Sequence, residues 1–206
     1  MNPAIAKTPE QTLRPMTAEI ELELVRRVAR KDPRAFEELY KLYYRRLFGF
    51  LLRFTRRTDL VEEILNDAMF VVWQKAAGFR ERSRVSTWVF GIAYRKALKR
   101  IERERRLPRE IAPEEAGLHE AGGADRNLEL RELQDTLQAA LARLSPEHRA
   151  VVELTYNHGY SVKEIAEIVH CPVNTVKTRM YHARRRLREI VPRLSPGLAA
   201  NRAEGA

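Results

Sequence analysis

Only one cysteine, Cys171, stands among the 206 residues. That excludes an internal disulfide framework and fits a reducing, cytoplasmic setting. No apolar run approaches the roughly 20 residues that a bilayer-spanning helix needs. The start of the chain, MNPAIAKTPEQTLRP, holds no signal-peptide core, so membrane insertion is not expected. Strand-like alternation and internal repeats are missing. The few glycines form no phosphate-cradling loop, and the acid pairs Glu62-Glu63 and Glu114-Glu115 come with no nucleophile or pocket motif. Neither catalysis nor a cofactor is expected. His158, His170, Cys171 and His182 lie close in sequence but form no C-x-x-C or H-x-x-x-H pair, so no metal site is expected either.

What the chain has is positive charge and helix-forming residues. A net charge of +10 with 44% hydrophobic residues describes a globular chain that favours a polyanionic partner. The richest segment is Ser161–Arg188, SVKEIAEIVHCPVNTVKTRMYHARRRLR. Ser161 and Glu164 have capping-box spacing before an apolar run at helical steps, Val162, Ile165, Ala166 and Val169. His170-Cys171-Pro172 stops that helix, with Pro172 placed for the first turn of the next and Cys171 as a small buried plug. In the second helix Val173, Val176, Met180, Ala183 and Leu187 fall on one buried stripe. Asn174, Thr178, Tyr181, His182 and Arg185 fall opposite, with Lys177 at the edge. From Pro172 to Arg188 there are six Lys or Arg and no acid. An apolar face, a hydrogen-bonding face and cationic edges suit a helix lying in a DNA major groove.

The remainder reads as all-α. Residues 1–17 are expected as a mobile arm and 18–106 as a first helical domain. Asp32-Pro33 starts a helix that carries Phe36, Leu39, Tyr40, Tyr43, Leu47 and Phe50. Asp59 and Glu62 have capping-box spacing before the next helix, and a third begins near Ser86 or Thr87. Residues 107–127 form an acidic, Gly- and Pro-containing flexible linker. Residues 128–191 form a second helical domain, ending at Pro192, with 192–206 as a tail. The expected fold is two small all-α domains on a tether.

The first domain carries a basic surface of its own. Phe79–Arg106 holds ten Lys or Arg against three Glu, interleaved with Phe79, Trp88, Phe90 and Tyr94. Cations that follow a backbone and rings on which bases stack are the ingredients of single-strand binding. Phe90 and Tyr94 are expected in the core; the loop Phe79–Val85 is expected to be functional.

DLVEEILNDAMFVVWQKA, then FRERSRVSTWVFGIAYRKAL, then LSPEHRAVVEL and the helix-turn-helix resemble a bacterial sigma factor of the extracytoplasmic-function group. The resemblance runs from about Ala18 to Ile190. It implies a region-two-like helix bundle and a region-four-like helix-turn-helix domain. It further implies core RNA polymerase as partner, docked by its clamp on the helix Asp59–Trp73, with Leu60, Glu63, Asn66, Asp67 and Phe70 as contacts. Here Asn66-Asp67 stands where the family pattern has Gln-Asp. In the minus-ten element a flipped non-template base would meet Phe79, Ser83 and Arg84, with Trp88, Arg95, Lys96 and Lys99 along the following helix. In the minus-thirty-five duplex, Asn174, Lys177, Thr178, Tyr181, His182 and Arg185 would contact DNA. An anti-sigma factor clamped between the domains is implied as a further partner, with a monomer when no partner is bound. The linker is either a polymerase-cleft segment or a spacer. Two rival readings are a stand-alone helix-turn-helix regulator with an amino-terminal sensor domain, and a helical adaptor for acidic protein or membrane surfaces.

Overall fold

The computed structural model describes residues 14–55, 57–106 and 135–194, all of it helix and connection. Its helices are α1 (Arg14–Ala29), α2 (Pro33–Leu52), α3 (Thr58–Lys75), α4 (Val85–Arg106), α5 (135–142), α6 (Pro146–Tyr156), α7 (Val162–Val169) and α8 (Val173–Leu194). A 3₁₀ turn, Ala76–Gly78, follows α3. Among the described residues no helix is long and apolar enough to cross a membrane.

The helix starts follow from local chemistry. Asp32 accepts from the Arg34 and Ala35 amides at 2.9 and 3.2 Å, with Pro33 inside the first turn of α2. Arg27 donates to the same carboxylate at 2.9 Å, and this bond leads the causes that hold Asp32 below the usual carboxylate range. Ser145 caps α6 with Pro146 behind it. Ser161 and Glu164 form the reciprocal capping box expected for α7, and His170, at φ 52°, closes that helix in the left-handed region.

Four expectations are corrected. Asp59 makes no capping box: α3 begins at Thr58, and Asp59 in its first turn takes the Arg57 guanidinium at 2.6 Å. A carboxylate there still favours the helix dipole. Pro192 does not stop α8, which runs to Leu194. Its missing N–H costs one bond in a terminal turn that has few left to lose. Cys171 is half-buried rather than sealed, with its Sγ 3.8 Å from Arg179. Helix α1 also starts inside the expected arm, at Arg14. The expected linker 107–127 lies outside the described residues.

The core of α1–α4 is built on Leu39, Tyr43, Leu47 and Phe50 of α2, packed with Leu65, Met69, Val89 and Phe90. A smaller cluster, Leu141, Leu144, Val152 and Ala183, ties α8 to α5 and α6. The larger core does not end at the first unit. It continues through α4 into Ile165 and Ile168 of α7, both fully buried. The two helical units expected on a tether pack face to face along α4 and α7.

Candidate nucleic-acid and polymerase surfaces

Helix α8 buries Val176 and Ala183 and half-buries Val173, Met180 and Leu187, the stripe expected from spacing. Its other side exposes Asn174, Lys177, Thr178, Tyr181, His182 and Arg185. Tyr181 is 63% exposed, so its ring and hydroxyl are available to a partner. The Thr178 hydroxyl donates to the Asn174 carbonyl at 3.0 Å, leaving its oxygen free to accept. Arg185 shares Glu189 with Arg186, at 3.6 and 3.1 Å. Glu189 lies one residue beyond the acid-free stretch, so the cationic edge is partly balanced at its distal end.

The loop after α3 places Phe79 and Trp88 ring to ring, with centroids 4.8 Å apart, and half-buries both. Arg26 of α1 grips Glu81 with two bonds of 3.0 Å, and Glu81 itself sits at φ 55°. A non-glycine residue held at positive φ costs conformational energy, and here an ion pair fixes it. Ser83 is half-buried and Arg84 exposed. Phe90 and Tyr94 are core residues, as expected. Lys96 binds Asp67 at 3.1 Å. Arg95 has no described partner, and partial burial pulls its guanidinium below its ordinary value. Its side chain is exposed and within reach of an arriving anion. Lys99 is exposed.

On α3, Glu63, Asn66, Asp67 and Phe70 line one outer face, with Phe70 56% exposed. The Tyr40 hydroxyl donates to Asn66 Oδ1 at 2.7 Å, and Arg100 reaches Glu63 at 3.2 Å. Leu60 does not belong to this face. At 3% exposure it points into the core beside Val61 and Ile64, so its expected role as a polymerase contact is withdrawn. Helical geometry explains the correction: Leu60 and Ile64 are four apart on the apolar side of α3.

Residues 39–107 match the family described as Sigma-70 region 2, and residues 134–187 match Sigma-70, region 4. The RNA polymerase sigma-H factor of Pseudomonas aeruginosa is 30% identical over 178 residues, 82% of this chain and 92% of that protein. The ECF RNA polymerase sigma factor SigM of Mycobacterium tuberculosis is 33% identical over 172 residues, 83% of this chain and 84% of its own. The chain belongs to the ECF sigma factors of the sigma-70 family. It is therefore an initiation factor and not an enzyme, which sets aside the regulator and adaptor readings. The fold agrees. The sigma factor RpoE, solved with the anti-sigma factor NepR from Bartonella quintana, superposes with a TM-score of 0.59 at 24% identity, covering 76% of this chain and 96% of that one.

Sequence reasoning missed parts of these surfaces in the sigma factor. Tyr156, 61% exposed at the end of α6, accepts a 3.0 Å bond from Arg184 and lies under its guanidinium. It adds a ring beside the α8 face. Phe36, Tyr40, Tyr44 and Phe48 form a half-buried aromatic row on α2 beside α3, with centroids 5.7 to 6.4 Å apart. Their four-residue spacing was the available signal, and it blends into the core pattern one residue away.

Proposed function

We propose that this sigma factor binds the clamp of core RNA polymerase through Glu63, Asn66, Asp67 and Phe70 of α3. It reads the minus-thirty-five duplex with Asn174, Lys177, Thr178, Tyr181, His182 and Arg185 of α8. It captures the melted minus-ten strand with Phe79, Ser83, Arg84 and Trp88, while Arg95, Lys96 and Lys99 follow the backbone. The chain acts in the cytoplasm, and an anti-sigma factor holds it inactive, as fits a fold shared with a sigma factor solved in such a complex.

One observation carries the reading. Two exposed surfaces of different chemistry, one made for duplex and one for single strand, lie on separate helical units of one sigma-70 family chain. The α8 face offers cations and hydrogen-bonding groups, the residue types that meet phosphates and base edges. The α4 face offers cations and rings. The α3 face completes the set with an exposed phenyl ring, Phe70, the kind of residue enriched at protein–protein contacts, rimmed by polar Glu63, Asn66 and Asp67.

The test is binding. Purified chain mixed with bacterial core polymerase should co-elute on gel filtration, and Asp67→Ala together with Phe70→Ala should weaken the complex by tenfold or more. Normal co-elution of the double variant would place the clamp contact elsewhere.

A further inference from the structure

The turn between α5 and α6 faces the later turns of α8 across an open pocket of about 430 Å³. That volume lies in the range of small-molecule sites. The surfaces assigned above use only one edge of it: His182 and Arg185, on the α8 wall, belong to the duplex-reading face. The opposite wall carries Arg143, Ser145 and His148, and Arg186 completes the α8 side. None of these four has a role in the reading given so far.

The walls combine cations with rings. Arg185 and Arg186 share Glu189, at 3.6 and 3.1 Å, whereas Arg143 has no ion pair among the described residues. Three arginines thus face one carboxylate, and the pocket keeps a surplus of positive charge. Ser145 Oγ accepts the His148 amide at 3.3 Å and lies 2.8 Å from His148 Nδ1, so the cap of α6 also fixes this ring at the wall. His148 meets His182 edge to face, with centroids 6.4 Å apart. Burial lowers the His148 pKa, Glu147 opposes the shift, and His182 and Arg179 add to it. Near pH 7 the ring is therefore neutral and offers a face and a hydrogen bond rather than a charge. Leu144, 6% exposed, supplies the apolar part of the lining.

We propose that this pocket binds a free nucleotide, with Arg143 and Arg186 on its phosphates and the His148–His182 pair against its base. Guanidinium forks match phosphate oxygens two bonds at a time, and imidazole is one of the rings on which bases stack. Glu189 remains as an acceptor for a sugar hydroxyl or an exocyclic amine. A backbone phosphate of the duplex would satisfy the same arginines but leave the imidazole face and Leu144 uncovered. Because His182 and Arg185 line both surfaces, a bound nucleotide also weakens duplex reading. That second step rests on the minus-thirty-five assignment made above; the binding itself does not.

The full chain is titrated with adenosine diphosphate, guanosine diphosphate and inorganic pyrophosphate, by calorimetry and by NMR of its imidazoles. At least one nucleotide should bind saturably and about tenfold more tightly than pyrophosphate, moving the His148 and His182 signals and leaving His158 in place. Arg143→Ala and Arg186→Ala should each weaken that binding about tenfold with thermal unfolding unchanged. The same nucleotide, at saturation, should weaken minus-thirty-five duplex binding by the holoenzyme several-fold, and much less with Arg143→Ala. No saturable binding of any probe, or binding indifferent to both substitutions, overturns the site. Loss of duplex binding in the two variants without nucleotide binding assigns the arginines to the DNA backbone and overturns it as well. Equal affinity for pyrophosphate and both nucleotides refutes the part given to the base. Nucleotide binding as expected with no effect on duplex binding keeps the site and overturns the competition; if His182→Ala also leaves duplex binding unchanged, the minus-thirty-five role of His182 fails with it.

Discussion

His158 makes closure of the chain sensitive to pH. Its ring lies between Phe50 and Phe90. Burial, then the nearby Arg46 and Arg53, push its pKa down to about 4. Both rings and both arginines belong to the α1–α4 unit, so separating the units returns His158 to solvent and to an ordinary value near 6.5. The closed form therefore binds the proton more weakly than the open one. Its stability relative to the open form is complete above about pH 6.5 and declines as pH falls from there toward 4. A gap of about 2.5 pKa units caps the loss at about 3 kcal/mol. At pH 5.5 the loss is about 1.4 kcal/mol, a tenfold shift toward the open form. The other charges at this seat are Glu21, bound to Arg46 at 3.2 Å, and Glu153, bound to Arg53 at 3.5 Å. Burial raises the Glu21 carboxyl, so its protonation favours the folded arrangement at low pH, opposite in sign to His158. Glu21 and Arg46 sit on the same unit, so opening leaves their pairing in place. The assay is the imidazole titration of His158 by NMR in the free chain, paired with α4–α7 energy transfer from pH 7.5 to 5. His158→Phe keeps a ring in the seat and should abolish the pH dependence of transfer. A His158 that titrates near 6.5 in the free chain would refute the reasoning.

Other outcomes follow from single side chains. Leu60→Ala should lower unfolding stability by about 2–4 kcal/mol, the cost of a core cavity, read from a urea midpoint. It should leave core-polymerase affinity unchanged once folded protein is counted. Lys177→Ala should weaken minus-thirty-five binding by the holoenzyme similarly across sequences and reduce the slope of log affinity against log salt by about one. Ser161→Ala removes the α7 cap and should cost about 1 kcal/mol in thermal or urea unfolding.

Much of the fold was legible because helices announce themselves by period and cap. The Ser161–Glu164 box and Asp32-Pro33 mark helix starts that the structure forms. The apolar stripe of α8 fixed which face would be free, so Asn174, Thr178, Tyr181 and His182 could be placed outside by angle alone. Leu60 failed because family position was followed where helical phase pointed inward. Asp59 failed because a capping-box spacing is degenerate, and Arg57 competes for the carboxylate. The contact between α4 and α7 was not legible at all. Gly91 reads as a weak point in a helix, and its use appears only when a second backbone lies on it. Tyr156 likewise gained a role only through Arg184, 28 positions away in sequence.

Permanganate footprinting of a promoter bound by core polymerase plus this chain tests the central claim most directly. The account predicts unpaired, reactive thymines across the minus-ten element, lost when Lys177→Ala and Thr178→Ala are combined and when Asp67→Ala and Phe70→Ala are combined. A holoenzyme that forms and binds promoter duplex yet exposes no thymine, or one whose footprint is indifferent to all four substitutions, would contradict it.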